Sequence, residues 1–267
     1  MQNILVAGGD RRQILLTQKL NKLGFNAVYY DKGQTNKTFD AVVLPYPATK
    51  DGVTLNAPLQ ESDILLNDIY RYVKPGKAIL GGNMPKSFCS NPNFIFTDYA
   101  KDETLLYKNA VLTAQAALCL IMSETKKPIN NLKITVVGLG RIGRLLLEYL
   151  LPLGADITVI SSDIAKLAYC KAKGIKAQKT ENICSVLAKS EIIVNTSPNP
   201  IFCGEKLTKI RKDAVYFELA SPPYGIDFAA AQSIGIATVK GFGLPGKYFP
   251  ESACECILES ILKHLGE

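Results

Sequence analysis

The chain alternates short runs of β-branched and aliphatic residues with longer stretches whose apolar positions recur at helical spacing. That alternation predicts parallel α/β architecture. The first run, Ile4-Leu5-Val6-Ala7, ends in Gly8-Gly9-Asp10-Arg11-Arg12. Asp10 is placed to N-cap a helix carrying Ile14, Leu15, Leu20 and Leu23, which Gly24 stops. Further strands are predicted over 27–30, 41–44, 78–80 and 94–96, with a helix over 62–73 closed by Pro75-Gly76 and a long exposed loop over 49–58. A long helix over 101–125 follows, its apolar stripe running from Leu105 through Ala114 to Met122. The second half repeats the theme, with strands expected over 133–137, 157–160, 192–195, 215–219 and 237–239. A closing helix over 251–264 is expected, able to pack back on the first domain.

The strand Lys133–Val137 runs straight into Gly138-Leu139-Gly140-Arg141-Ile142-Gly143 and then a leucine-rich helix. In this setting the first glycine permits a tight turn, the second lets backbone approach a pyrophosphate, and the third lets strand and helix pack closely. Backbone N–H groups at the helix start then face the phosphates. The cofactor contacts expected here are Gly138, Gly140, Arg141, Ile142 and Gly143.

The next strand ends in Ser161-Ser162-Asp163. NAD enzymes usually place an acidic residue there to bind the ribose 2′-hydroxyl. Ser161 at that position leaves room for a 2′-phosphate held by Ser161, Ser162 and Lys166, which favours NADP over NAD; if the register slips, Asp163 takes the acidic role. Later loops containing Thr196, Ser197 and Ala220 are expected at the same carboxyl ends of the strands, and a role as plain turns competes with that reading. The expected organisation is two Rossmann-like parallel-sheet domains joined by a long helix. Residues 1–100 form a substrate-side α/β domain, 101–130 a bridging helix and linker, and 131–267 a doubly wound dinucleotide-binding domain.

Composition narrows the chemistry. The one histidine, His264, lies near the end of the closing helix, so Ser-His hydrolysis, multi-histidine metal sites and histidine-based hydroxyacid dehydrogenation all become unattractive. Seven cysteines without a Cys-x-x-Cys pair predict neither a zinc site nor a disulfide framework and suit a reducing cytoplasm. No metal is expected. The net charge of +7 is spread along the chain, which suits small anionic ligands and gives little support to nucleic-acid binding. No apolar run approaching ~20 residues is read from the sequence, and the N-terminus has no basic leader, so neither a membrane span nor a signal peptide is expected. In the first domain, Arg11 or Arg12 is suited to gripping a carboxylate in bidentate fashion.

Four stretches carry a wider resemblance: Gly8-Gly9-Asp10-Arg11-Arg12-Gln13, Asn109-Ala110-Val111-Leu112-Thr113-Ala114, Ala220-Ser221-Pro222 continuing to Gly225 and Asp227, and Gly243-Leu244-Pro245-Gly246-Lys247. Together, and in order along the chain, they resemble the A subunit of spore dipicolinate synthase. Two positions depart from that pattern: Tyr224 stands where a small residue, often glycine, is expected, and Gln115 where the family carries an acid. The resemblance implies oxidation of dihydrodipicolinate to dipicolinate with NADP, alongside a flavoprotein-like B subunit, in the mother-cell cytoplasm of a sporulating bacterium. It implies Arg11, Arg12 and Lys247 as the groups holding the two carboxylates. Asp227 and Tyr224 become candidates for accepting or relaying a proton, each with a structural role as the competing reading. A non-catalytic dinucleotide-binding subunit that regulates a partner enzyme is the alternative, and self-association is left open.

Overall fold

The computed structural model describes residues 2–30 and 37–265. The chain divides into two compact units, Met1–Asn109 together with Pro245–Glu267, and Ala110–Leu244.

The first unit is built on strands β1 (Asn3–Val6), β2 (Asn26–Tyr29), β3 (Phe39–Val43), β4 (Val73–Gly81) and β5 (Ile95–Asp98), with helix α1 (Arg11–Lys22) between the first two. All the pairings are parallel, in the order β2-β1-β3-β4-β5. Alternate residues serve opposite faces of the sheet. Leu5, Val42, Leu44 and Ile79 join one core with Leu55, Ile64 and Phe88, while Ile4, Val6, Ala41 and Val43 join a second with Leu16 and Leu20 of α1. Burial on both faces is why these strands read as continuous apolar runs.

Three expectations are corrected here. The helix expected over 62–73 is a short 3₁₀ turn, Leu66–Tyr72, and strand β4 begins immediately after it. Pro75-Gly76 lies inside β4, in a register shift where Phe39 pairs with Val73 but Ala41 pairs with Ala78. Proline cannot donate to the ladder, so the bulge accommodates it. The loop over 49–58 is not simply exposed: Thr49 and Leu55 are buried, and the Asp51 carboxylate accepts bonds from Val53 N, Thr54 N and the Thr49 and Thr54 hydroxyls.

Helix α2 (Glu103–Glu124) starts in the first unit and ends in the second. By length and composition it is apolar enough to cross a membrane, contrary to the sequence reading. Ala110, Ala114, Ala117 and Ile121 are nevertheless buried on one stripe, the pattern of a helix lining a protein core.

The second unit holds β6 (Lys133–Val137), α3 (Arg141–Leu150), β7 (Asp156–Ser161), α4 (Ile164–Ala172), β8 (Lys176–Lys179), α5 (Ile183–Leu187), β9 (Ile192–Asn195), α6 (Glu205–Thr208), β10 (Val215–Glu218), α7 (Phe228–Ser233) and β11 (Ala237–Lys240). Its parallel sheet has the order β11-β10-β9-β6-β7-β8. The order reverses between β6 and β9, the switch point at which an open parallel sheet takes its ligand. Strand β8 escaped the sequence reading because Lys-Ala-Gln-Lys has no apolar alternation; it is an exposed edge strand, where lysines discourage pairing with other chains.

The chain closes with α8 (Leu244–Tyr248) and α9 (Pro250–Leu265). Cys254, Ile257, Ile261 and Leu265 of α9 complete the second core of the first unit beside Leu16 and Leu20. Asp102 fastens the same end by accepting bonds from Ser260 Oγ at 2.8 Å and Lys263 Nζ at 2.6 Å.

Candidate functional site

In the second unit β6 ends at the switch point and the chain turns through Gly138, whose φ of 89° is left-handed. A Cβ on Gly138 would lie 2.7 Å from Thr196 Oγ1, so both backbone shape and space demand glycine. A Cβ on Gly143 would lie 2.4 Å from the Gly138 carbonyl oxygen, the close strand–helix approach its position implies. Gly140 differs: its φ is −81° and a Cβ there would meet nothing within 4 Å. Nothing in the protein requires glycine at 140; open space above it is what the approach of a pyrophosphate requires. Gly140 also N-caps α3 without a side-chain bond, at a helix start of the kind that attracts anions. Arg141 is exposed and Ile142 half-buried at that start.

Thr196 locks the turn. Its N–H donates to Val137 O at 2.8 Å, and its hydroxyl reaches Val137 O at 3.0 Å and Gly138 O at 3.1 Å. Ser197 follows it, half-buried beside Gly138.

On the other side of β6, Ser161 is the buried last residue of β7, and its Oγ accepts a bond from Asp163 N at 3.1 Å. Asp163 lies beyond the strand, where it N-caps α4 through Ala165 N and Lys166 N and pairs with Lys166 at 3.4 Å. The strand terminus is therefore hydroxyl-bearing, with exposed Ser162 next to it, while Asp163 and Lys166 are engaged with each other.

Sequence reasoning missed Glu218. It ends β10, is fully buried, and accepts four bonds: Asn195 Nδ2 at 2.7 Å, Ala220 N at 3.0 Å, Gly225 N at 2.8 Å and the Tyr216 hydroxyl at 2.9 Å. Burial raises its carboxyl pKa above the usual carboxylate range, because the four donors offset only part of that rise. Burial and the neighbouring carboxylate both raise the Tyr216 pKa, so the phenol keeps its proton and donates. The available signal was an acid ending an otherwise apolar strand, Val215-Tyr216-Phe217-Glu218.

Asp227 caps α7, accepting from Ala230 N at 3.0 Å, which is the structural role weighed against catalysis. Tyr224 has φ 68°, and its ring stacks on Phe242 at 4.9 Å and meets Phe228 edge-on. The left-handed backbone is the physical reason a glycine suits this position; tyrosine there costs about 1–2 kcal/mol, set against its ring contacts.

In the first unit, Arg12 is buried and forks onto Asp10, with Nε to Oδ1 at 2.8 Å and Nη2 to Oδ2 at 3.0 Å. Burial pushes the Asp10 carboxyl up, and the Arg12 bonds outweigh it, leaving the pKa below the usual range. A Cβ on Gly246 would lie 2.6 Å from Asp10 Oδ2, so this pair and the Gly246-Lys247 turn are built together. Two of Arg12's donors are thus committed to Asp10, while Arg11 and Lys247 are exposed. His264 is exposed on α9, and among the described residues no three His, Cys, Asp or Glu side chains gather as a metal site.

Comparison with known proteins follows the same lines. The family model for the N-terminal domain of the dipicolinate synthase A subunit matches residues 3–91. The chain is 24% identical to the A subunit of dipicolinate synthase from Bacillus subtilis, covering 99% of this chain and 96% of that one. The crystal structure of the dipicolinate synthase A subunit from Bacillus halodurans superposes with TM-score 0.90 at 20% identity, covering 100% and 98% of the two chains. An NAD-complexed D-isomer specific 2-hydroxyacid dehydrogenase from Lactobacillus delbrueckii shares the fold more distantly, with TM-score 0.52 and 13% identity over 99% and 97%. In sequence and fold alike the chain resembles the A subunit of dipicolinate synthase along its whole length, and residues 3–91 match the model of that family's N-terminal domain.

Proposed function

We propose that this chain is a nicotinamide-dinucleotide-dependent oxidoreductase subunit, the A subunit of a dipicolinate synthase that oxidises dihydrodipicolinate with NADP. The observation that carries the reading is the turn at the switch point, where Gly138 and Gly143 are fixed by the fold and Gly140 is kept bare. That pattern fits a dinucleotide pyrophosphate at the start of α3. When bound, the dinucleotide would supply the hydride acceptor.

The chain's own residues supply binding and orientation. Ser161 and Ser162, with Lys166 released from Asp163, offer donors to a 2′-phosphate, which favours NADP over NAD. Arg11 and Lys247 hold the two carboxylates, and Arg12 shapes the turn through Asp10. Aromatisation of the dihydropyridine drives hydride release, so positioning takes precedence over a strong base. Ala220 and Tyr224 belong to the loop beside the reacting ring. A second, flavoprotein-like subunit in the mother-cell cytoplasm completes this reading.

One observation favours the alternative of a non-catalytic dinucleotide-binding regulatory subunit: the Asp227 carboxylate is engaged as a helix cap. The deciding experiment supplies purified chain with freshly made dihydrodipicolinate and either NADP or NAD, and follows reduction at 340 nm. Turnover with NADP supports the proposal. Cofactor binding without turnover unless the flavoprotein-like partner is added supports the alternative, and no binding of either dinucleotide refutes both.

A further inference from the structure

Val137, Asn195 and Glu218 end three adjacent strands at one level of the sheet, since Val137 pairs with Asn195 and Asn195 with Glu218. Val137 leads into the phosphate turn. Asn195 folds its own loop, donating from Nδ2 to Ser197 O at 2.8 Å and accepting Ser197 N at Oδ1 at 3.2 Å. The loop so held presses Thr196 and Ser197 against Gly138. Glu218 then joins Asn195 to the next loop by accepting Ala220 N and Gly225 N. Gly225 is tightly enclosed, because a Cβ there would lie 2.2 Å from Asn195 Nδ2 and 3.0 Å from the Tyr216 oxygen. Tyr224, with its left-handed backbone, is held directly before that anchored glycine. A buried, hydrogen-bonded carboxylate is costly to retain unless it fixes a conformation that an apolar residue would leave free.

In a sheet of this order the two halves of a dinucleotide lie on either side of the switch point, adenosine towards β7 and nicotinamide towards β9 and β10. We propose that Glu218 is a positioning residue for the nicotinamide half, one buried carboxylate setting the Asn195–Ser197 and Ala220–Gly225 loops against each other. This rests on the dinucleotide-binding reading above. Glu218 touches no ligand itself; it acts through the backbone it holds.

Glu218→Gln tests this directly. The amide keeps the volume but brings an NH₂ group against donors that a carboxylate accepts. The full-length chain is titrated by calorimetry with NADP and NAD, and in parallel with ADP and its 2′-phosphorylated form, which probe the adenosine half alone. The expected result is at least a tenfold rise in Kd for the preferred dinucleotide, with the Kd of its adenosine fragment changed less than twofold. Equal weakening of both would mean general loosening and would overturn the proposal, as would unchanged dinucleotide affinity. If Glu218→Gln does not fold, Tyr216→Phe removes one donor while keeping the carboxylate; it should weaken the dinucleotide three- to tenfold with the same selectivity, and equal or absent effects overturn the proposal. Failure of the wild-type chain to bind any of the four ligands would instead refute the dinucleotide reading, and this inference with it.

Discussion

Gly140→Ala and Gly143→Ala should have opposite consequences although the two positions lie three residues apart in one turn. At 140 the backbone φ of −81° is open to any L-residue and a Cβ meets nothing within 4 Å, so the folded apo chain should change by less than about 0.5 kcal/mol. The added methyl instead fills the approach to the α3 N-terminus. Losing even two charge-assisted bonds to a pyrophosphate, at about 1.5 kcal/mol each, weakens binding ~100-fold. At 143 the methyl would lie 2.4 Å from the Gly138 carbonyl oxygen, a backbone atom that cannot swing aside. Overpacking of this kind costs roughly 1–3 kcal/mol, or several degrees of Tm, before any ligand is added. Thermal unfolding of the apo chains by circular dichroism, paired with NADP titration by calorimetry, reads both effects. A Gly140→Ala chain that binds within twofold of wild type, or a Gly143→Ala chain that melts with it, would refute the reading of this turn.

Three further outcomes are expected. At position 224, glycine should be more stable than alanine by about 1 kcal/mol in urea unfolding, because both lose the Phe242 stack but only glycine relaxes the φ of 68°. The bond from Lys263, aided by Ser260, lowers the Asp102 pKa from 3.8 to about 2. Its stabilisation is therefore fully present above about pH 4 and is lost as pH falls towards 2. Asp102→Asn should cost about 1 kcal/mol at pH 7, discounted for the exposed lysine, and its stability curve should meet wild type near pH 2; a constant gap across that window would count against the assignment. Arg11→Ala should raise the dihydrodipicolinate KM about tenfold or more in steady-state assays and leave the NADP KM unchanged; equal shifts in both would remove Arg11 from the substrate site.

Local sequence was decisive wherever one physical requirement dominated. The parallel strands β1, β3, β6 and β9 were legible because burial on both faces demands uninterrupted aliphatic runs. The turn after β6 was legible because only glycine meets the backbone and packing needs at 138 and the packing need at 143, and Asp10 as a cap because a carboxylate before a helix satisfies its free N–H groups. The features that escaped depend on distant partners. Pro75-Gly76 reads as a stop, yet pairing with β3 and β5 carries β4 through it as a bulge. Strand β8 exists only because β7 offers it an edge. Arg12 reads as a carboxylate clamp, but it already grips Asp10 in a turn that Gly246, over two hundred positions away, leaves room for. Glu218 falls unremarked inside the strand expected over 215–219; four donors from β9, β10 and the Ala220–Gly225 loop make it a buried hub joining those elements. The sequence by itself determined most of the strands and the chemistry of the glycine turn after β6, since those follow from backbone and burial rules acting over a few residues. Which charged groups face a ligand and which are spent on the protein was decided only when the fold brought their partners within hydrogen-bonding distance.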